Sequence, residues 1–145
     1  MKVSAKVEYG LIALADIAIY SENNTIMPAS DIAEREEISQ KYLEQILVNL
    51  KLAGFIVSHK GSGGGYALSR SADSINMCEV LSALDDSILA DNCPDDSKSG
   101  LRQQVYICFW DKINSNLREF AEGVTLSDFI SECRHTEANW DMYVI

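Results

Sequence analysis

Between Val3 and Tyr20 the apolar residues Val7, Leu11, Leu14, Ala15 and Ala18 return every three or four positions, while Lys6 and Asp16 fall off the stripe. A helix that buries one face needs that period, so it predicts a first helix. "SENNT" interrupts the pattern, and Pro28 suits the first turn of a short second helix through Glu36, with Ile32 and Ala33 inward. Ser39 has N-cap chemistry, and Ile38 before it pairs with Leu43 at the fourth helical position as a hydrophobic staple. In the third helix so begun, Leu43, Ile46, Leu47 and Leu50 share one face, Gln40, Lys41, Gln45 and Asn49 lie away from it, and Gly54 ends it.

The period then changes. "FIVSH" and "YALS" read as short strands joined across Lys60 to Gly65, a hairpin whose glycines permit positive φ and close backbone approach. After Ser71 a helical pattern resumes from Ile75 to Leu84, with Val80, Leu81 and Leu84 inward. The polar run "DDSILADNCPDDSKSG" leads into a long amphipathic stretch, Leu101 to Ala121, and Thr125 caps a last short helix to about Cys133. The tail "RHTEANWDMYVI" has no clear period. Three helices and a hairpin in this order predict a mainly α fold with a small β-hairpin: a winged helix-turn-helix over residues 1–72, then a helical dimerisation and regulatory region over 73–145.

Composition refines this. With 145 residues, 47% of them hydrophobic and 23% charged, the chain can build an ordinary globular core. Lys6, Glu8 and Asp16 break the first apolar run, so no signal-peptide layout or bilayer-length segment is present and the expected setting is the cytoplasm, with no membrane. A net charge of -10 opposes nucleic-acid binding in general, but residues 1–70 hold 7 basic against 8 acidic side chains, whereas residues 71–145 hold 5 against 14. The acid is concentrated in the second half.

The loop "KGSGGGY" is neither a P-loop, which needs lysine and a hydroxyl after its last glycine, nor a dinucleotide fingerprint, which needs a helix to follow. A tight turn accounts for part of it, while a slim loop with Lys60 at its base can also enter a minor groove. "ISQKYLEQIL" and "KGSGGGYAL", with "VSAKVEYGLIAL", "EVLSALD" and "VTLSDF", resemble the IscR/NsrR/CymR-type family of bacterial winged-helix transcription regulators over nearly the whole chain. The resemblance implies a homodimer on a palindromic double-stranded DNA operator, a recognition helix in the major groove, a wing in the minor groove and a long dimer helix. Enzyme activity is not expected.

On the third helix, Tyr42, Glu44 and Gln45 are candidate base contacts, since glutamine pairs bidentately with adenine and glutamate accepts from cytosine. Ser39, Gln40 and Lys41 suit phosphate. For Glu44 the competing role is a solvated charge or one that orients a neighbour, and for Tyr42 it is packing on the first helix. Ser58, Lys60, Gly61, Gly63, Gly64 and Gly65 form the candidate wing contacts, with Lys2 as a further backbone contact. Lys60 departs from the arginine usual in this family and lacks its planar fork.

Several members of that family hold an iron-sulfur cluster through three close cysteines, but here the loop before the long helix supplies Cys93 alone. No cofactor is therefore expected, although an iron-sulfur or thiol-redox regulator stays an alternative. Cys93 is the possible sensor, yet Asp91, Asp95 and Asp96 disfavour its thiolate; Cys78 and Cys108 read as small core residues. The ending "WDMYVI" resembles the CymR branch, which implies that Tyr143, Val144 and Ile145 dock on a partner, cysteine synthase; packing on the dimer is the other role open to them. The function expected is a repressor of sulfur or cysteine genes tuned by that enzyme. A winged-helix interaction adaptor that reads no DNA is the remaining alternative.

Overall fold

The structure, a computed structural model, describes residues 3–21, 25–90 and 100–143, with the side chain of Tyr143 excluded. Lys2, Cys93, Val144 and Ile145 lie outside those residues. Helices α1 (Ala5–Tyr20), α2 (Ala29–Arg35) and α3 (Gln40–Leu52) are followed by strands β1 (Ile56–His59) and β2 (Gly65–Leu68), then α4 (Met77–Leu84). Helix α5 (Leu101–Val105) runs through a π-helical turn (Tyr106–Trp110) into α6 (Asp111–Glu122), and α7 (Leu126–Tyr143) completes the described chain. Mainly helical, with one antiparallel hairpin, the molecule is a winged helix-turn-helix extended by a helical arm. Among the described residues no helix is long and apolar enough to cross a membrane.

Local chemistry sets the head. The Ser39 hydroxyl accepts from the Tyr42 amide at 3.3 Å, while Ile38 and Leu43 are both buried, so cap and staple together fix where α3 starts. At its other end the amides of Gly54 and Phe55 donate to the Lys51 and Leu50 carbonyls at 3.0 and 3.1 Å, a Schellman closure that turns buried Phe55 back onto the helix. The hairpin registers Ile56 on Leu68 and His59 on Gly65, and an isolated bridge joins Met27 to Tyr66, attaching the α1–α2 connection to the wing sheet. Gly65 cannot carry a side chain there, because a Cβ would sit 2.3 Å from the Met27 carbonyl oxygen.

The core joins Leu14 and Ile17 of α1 to Leu43, Leu47 and Leu50 of α3, and continues through Ile75, Val80, Leu84, Leu126 and Ile130. The head's core thus extends past residue 72 to include α4 and the first turns of α7. Thr125 caps α7 by a reciprocal box: its hydroxyl accepts from the Asp128 amide at 3.1 Å, and its own amide donates to the Asp128 carboxylate at 3.0 Å. These bonds hold the Asp128 carboxyl below its ordinary range.

Three expectations are corrected. Helix α7 reaches Tyr143 rather than ending near Cys133; residues 134–142 are exposed throughout, and a helix that buries no face leaves no apolar period in its sequence. Cys108 is exposed and does not pack in a core, like Val105, Phe109 and Ile113 beside it; in the π turn only Tyr106 is buried. Asp16, placed off the apolar stripe, is instead buried and accepts from the Arg35 Nε at 2.8 Å and Nη2 at 3.2 Å.

Candidate nucleic-acid interface

Burying Leu43, Ile46, Leu47 and Leu50 forces the opposite side of α3 outward, so Lys41, Glu44, Gln45 and Val48 stand exposed on one face. Ser39 and Gln40 are exposed at its start. The Gln40 side-chain amide donates to the Glu44 carboxylate at 3.4 Å, so Glu44 orients a neighbour within the free protein. Tyr42 is half-buried and its ring meets Tyr9 of α1 edge to face, with centroids 5.8 Å apart, which is the packing role weighed for it.

The turn of the helix-turn-helix is "EEIS", and Glu37 occupies a left-handed conformation at φ 54. That backbone region is costly for any residue with a Cβ, so the surrounding fold must hold it. One device is the Asp16–Arg35 pair, with the Arg35 guanidinium lying 3.9 Å from the centre of the Tyr20 ring. It clamps the end of α2 to α1 just before the turn. Beside it the Glu36 carboxyl is pushed up to about 7, first by burial, then by its hydrogen bond with Asp16 and the charge there, while Arg35 opposes the rise. Near neutrality this carboxyl carries a proton part of the time, reducing negative charge at the turn.

In the wing, Lys60 and His59 are exposed, and Gly61 and Gly63 take positive φ of 101 and 76, conformations that let the loop double back in few atoms. Ser58 is half-buried opposite Tyr66, and Gly64 and Gly65 face neighbouring backbone, so these three shape the hairpin, whereas Lys60, Gly61 and Gly63 form its outer turn. Sequence reasoning passed over Val48 and His59. Val48 is 52% exposed three residues beyond Gln45, and an apolar residue off the buried stripe is the signal that could have found it.

An exposed polar face on α3, which packs against the first strand of a slim cationic hairpin, fits one class: a winged-helix, DNA-binding transcriptional regulator. The chain belongs to the Rrf2 family, described as iron-dependent transcriptional regulators, whose pattern matches residues 3–132. It is 35% identical to the HTH-type transcriptional regulator IscR of Vibrio parahaemolyticus over 134 residues, spanning 91% of this chain and 79% of that one. The Erwinia tasmaniensis IscR is 32% identical over 133 residues, 90% of this chain and 79% of the relative. Among solved structures, CymR, the global cysteine regulator of B. subtilis, superposes with a TM-score of 0.78 at 26% identity, covering 91% of this chain and 98% of that chain. T. potens IscR gives 0.74 at 28% identity, with 92% and 88% covered.

The iron in the family's description meets no ready ligand set among the described residues. No group of three or more His, Cys, Asp or Glu side chains converges there, with Cys78 half-buried and Cys108 and Cys133 free and exposed.

Proposed function

We propose that the chain acts as a homodimer that reads a palindromic operator, with α3 in the major groove and the glycine wing in the adjacent minor groove. The observation that carries this is the exposed face Lys41, Glu44, Gln45 and Val48 on a helix that packs against β1, the strand leading into a hairpin tip with almost no side-chain bulk. Gln45 suits adenine, the Val48 methyls suit a thymine methyl, and Lys41 and Lys60 suit phosphate or groove potential. Dimerisation supplies the second half-site and covers Ile107, Phe109 and Trp110, each more than half exposed in the protomer.

The regulated genes are those of sulfur or cysteine metabolism, and repression is adjusted by a partner enzyme, cysteine synthase, that takes up Tyr143, Val144 and Ile145, next to the exposed Trp140 and Met142 of α7. The likeness to the cysteine regulator CymR supports this reading. Selecting bound genomic fragments with and without cysteine synthase and its substrate O-acetylserine tests target and partner together. Enrichment of sulfur genes, altered by the enzyme, is expected; fragments unrelated to sulfur, unaffected by it, would refute the assignment. A second reading, an iron-sulfur-sensing regulator, is favoured by the family description and the similarity to IscR. Stoichiometric iron and sulfide in anaerobically purified protein would select it.

A further inference from the structure

A cleft of about 330 Å³ opens between the base of the wing, the end of α1 and the first half of α7. Its polar lining among the described residues is Ser21, Arg70, Ser71, Ser127, Ser131 and Arg134: two guanidiniums and four hydroxyls, with no carboxylate among them. In a chain with 22 acidic side chains and a net charge of -10, a concave surface whose described polar groups are all cations and hydroxyls is chemically distinct. We propose that this cleft is an effector site for a small oxyanion, a carboxylate or phosphate, that ties the wing to the helical arm.

Arg70 is already positioned. Its Nη1 donates to the Ser74 carbonyl at 2.5 Å and its Nη2 to Glu79 at 3.1 Å, which fixes the guanidinium while leaving its remaining N–H groups as donors. Arg134 also has a partner in the fold and lines the same cleft from α7. The Ser71 hydroxyl does not cap the short 3-10 turn that follows it, so it too can serve a ligand. Ala18 and Ile130 add apolar surface, which suits a short carbon skeleton attached to the charged group. The volume lies near the lower end for ligand sites and admits only a few heavy atoms beyond the oxyanion. Because Arg70 lies two residues past β2 while Ser127, Ser131 and Arg134 belong to α7, an anion held by both sets joins wing to arm.

Anion binding itself does not depend on the DNA reading; the effect on operator affinity does. The test is calorimetric titration of the full chain with inorganic phosphate, glycerol phosphate and succinate, with sodium chloride at matched ionic strength as the blank. At least one should bind with a Kd at or below about 1 mM. Arg134→Gln, on an exposed helical face, should keep its melting temperature and weaken binding by about tenfold or more, and Ser131→Ala should weaken it less. The bound anion should shift operator affinity several-fold in the parent and not in Arg134→Gln. No heat above chloride with any of the three, or variants that bind like the parent, would overturn the site. Binding without any change in operator affinity would overturn the effector role. Operator binding by the anion-free parent is scored separately, so failure of the DNA reading stays distinguishable.

Discussion

The head and the arm apply the same amphipathic rule with opposite results. In α1 and α3 the stripe residues Leu14, Ile17, Leu43, Leu47 and Leu50 are all 0% exposed. In the arm Ile107, Phe109, Trp110 and Phe120 are 54, 55, 52 and 70% exposed. Both sets carry the large side chains that elsewhere form cores, but only the head finds its covering surface within one copy. Periodicity therefore identifies which residues need cover and is silent on what provides it. The contrast leaves the head with a core closed within one copy, and the arm with the apolar surface that the proposed dimer would cover.

The arm should break first and hardest. Phe109→Glu places a charge in the apolar ridge, and sedimentation is expected to show dimer giving way to monomer. Loss of the linked second half-site should then lower operator affinity by at least about a hundredfold. Breaking the head differs: Leu47→Ala should cost about 2 to 5 kcal/mol in urea unfolding, through lost burial and a cavity, while folded protein remains dimeric. Gln45→Ala should leave stability unchanged and relax discrimination at one base position per half-site by about 1 to 3 kcal/mol, read on a randomised operator library.

Smaller effects sharpen the picture at the turn. The folded Glu36 carboxyl titrates near 7 against an ordinary 4.5, so the native state binds the proton more tightly than the unfolded chain. Its contribution is present at low pH and is lost as pH rises through that window, to a level plateau above it. Melting temperature should therefore fall from weakly acid to weakly alkaline buffer, and Glu36→Gln should flatten that part of the profile. Least of all, Glu37→Gly relieves the left-handed backbone at φ 54 and should raise stability by up to about 1 kcal/mol, measured by denaturant melts.

Much of the head was legible because its signals are local and agree with one another. Ser39, Ile38 and Leu43 marked the start of α3, Gly54 its end, and the strand-like runs with the glycine loop marked the wing within one residue. What escaped depends on partners distant in sequence. Asp16 and Arg35 are 19 residues apart, and neither carries a sign that they pair in the interior. Met27 and Tyr66 bridge across an intervening helix pair for the same reason. In the arm, "VYICFW" is apolar without a break, and the π turn there shifts the helical register, so no period could reveal which side faces outward. Residues 134–142 of α7 bury nothing within the protomer, which erased their helical signal. At the interface, Gln45 and Lys41 stood out as polar positions on a helix, but Val48 emerged only once the exposed face was built.

In the proposed dimer each head grips phosphate while reading bases, and the most direct measurement is affinity for a selected palindromic duplex as a function of salt. Log affinity should fall linearly and steeply with log salt concentration, and Lys60→Ala should reduce the slope by about one for each lysine contact removed while weakening all sequences alike. A flat salt dependence, or equal affinity for the palindrome and an unrelated duplex, would contradict it.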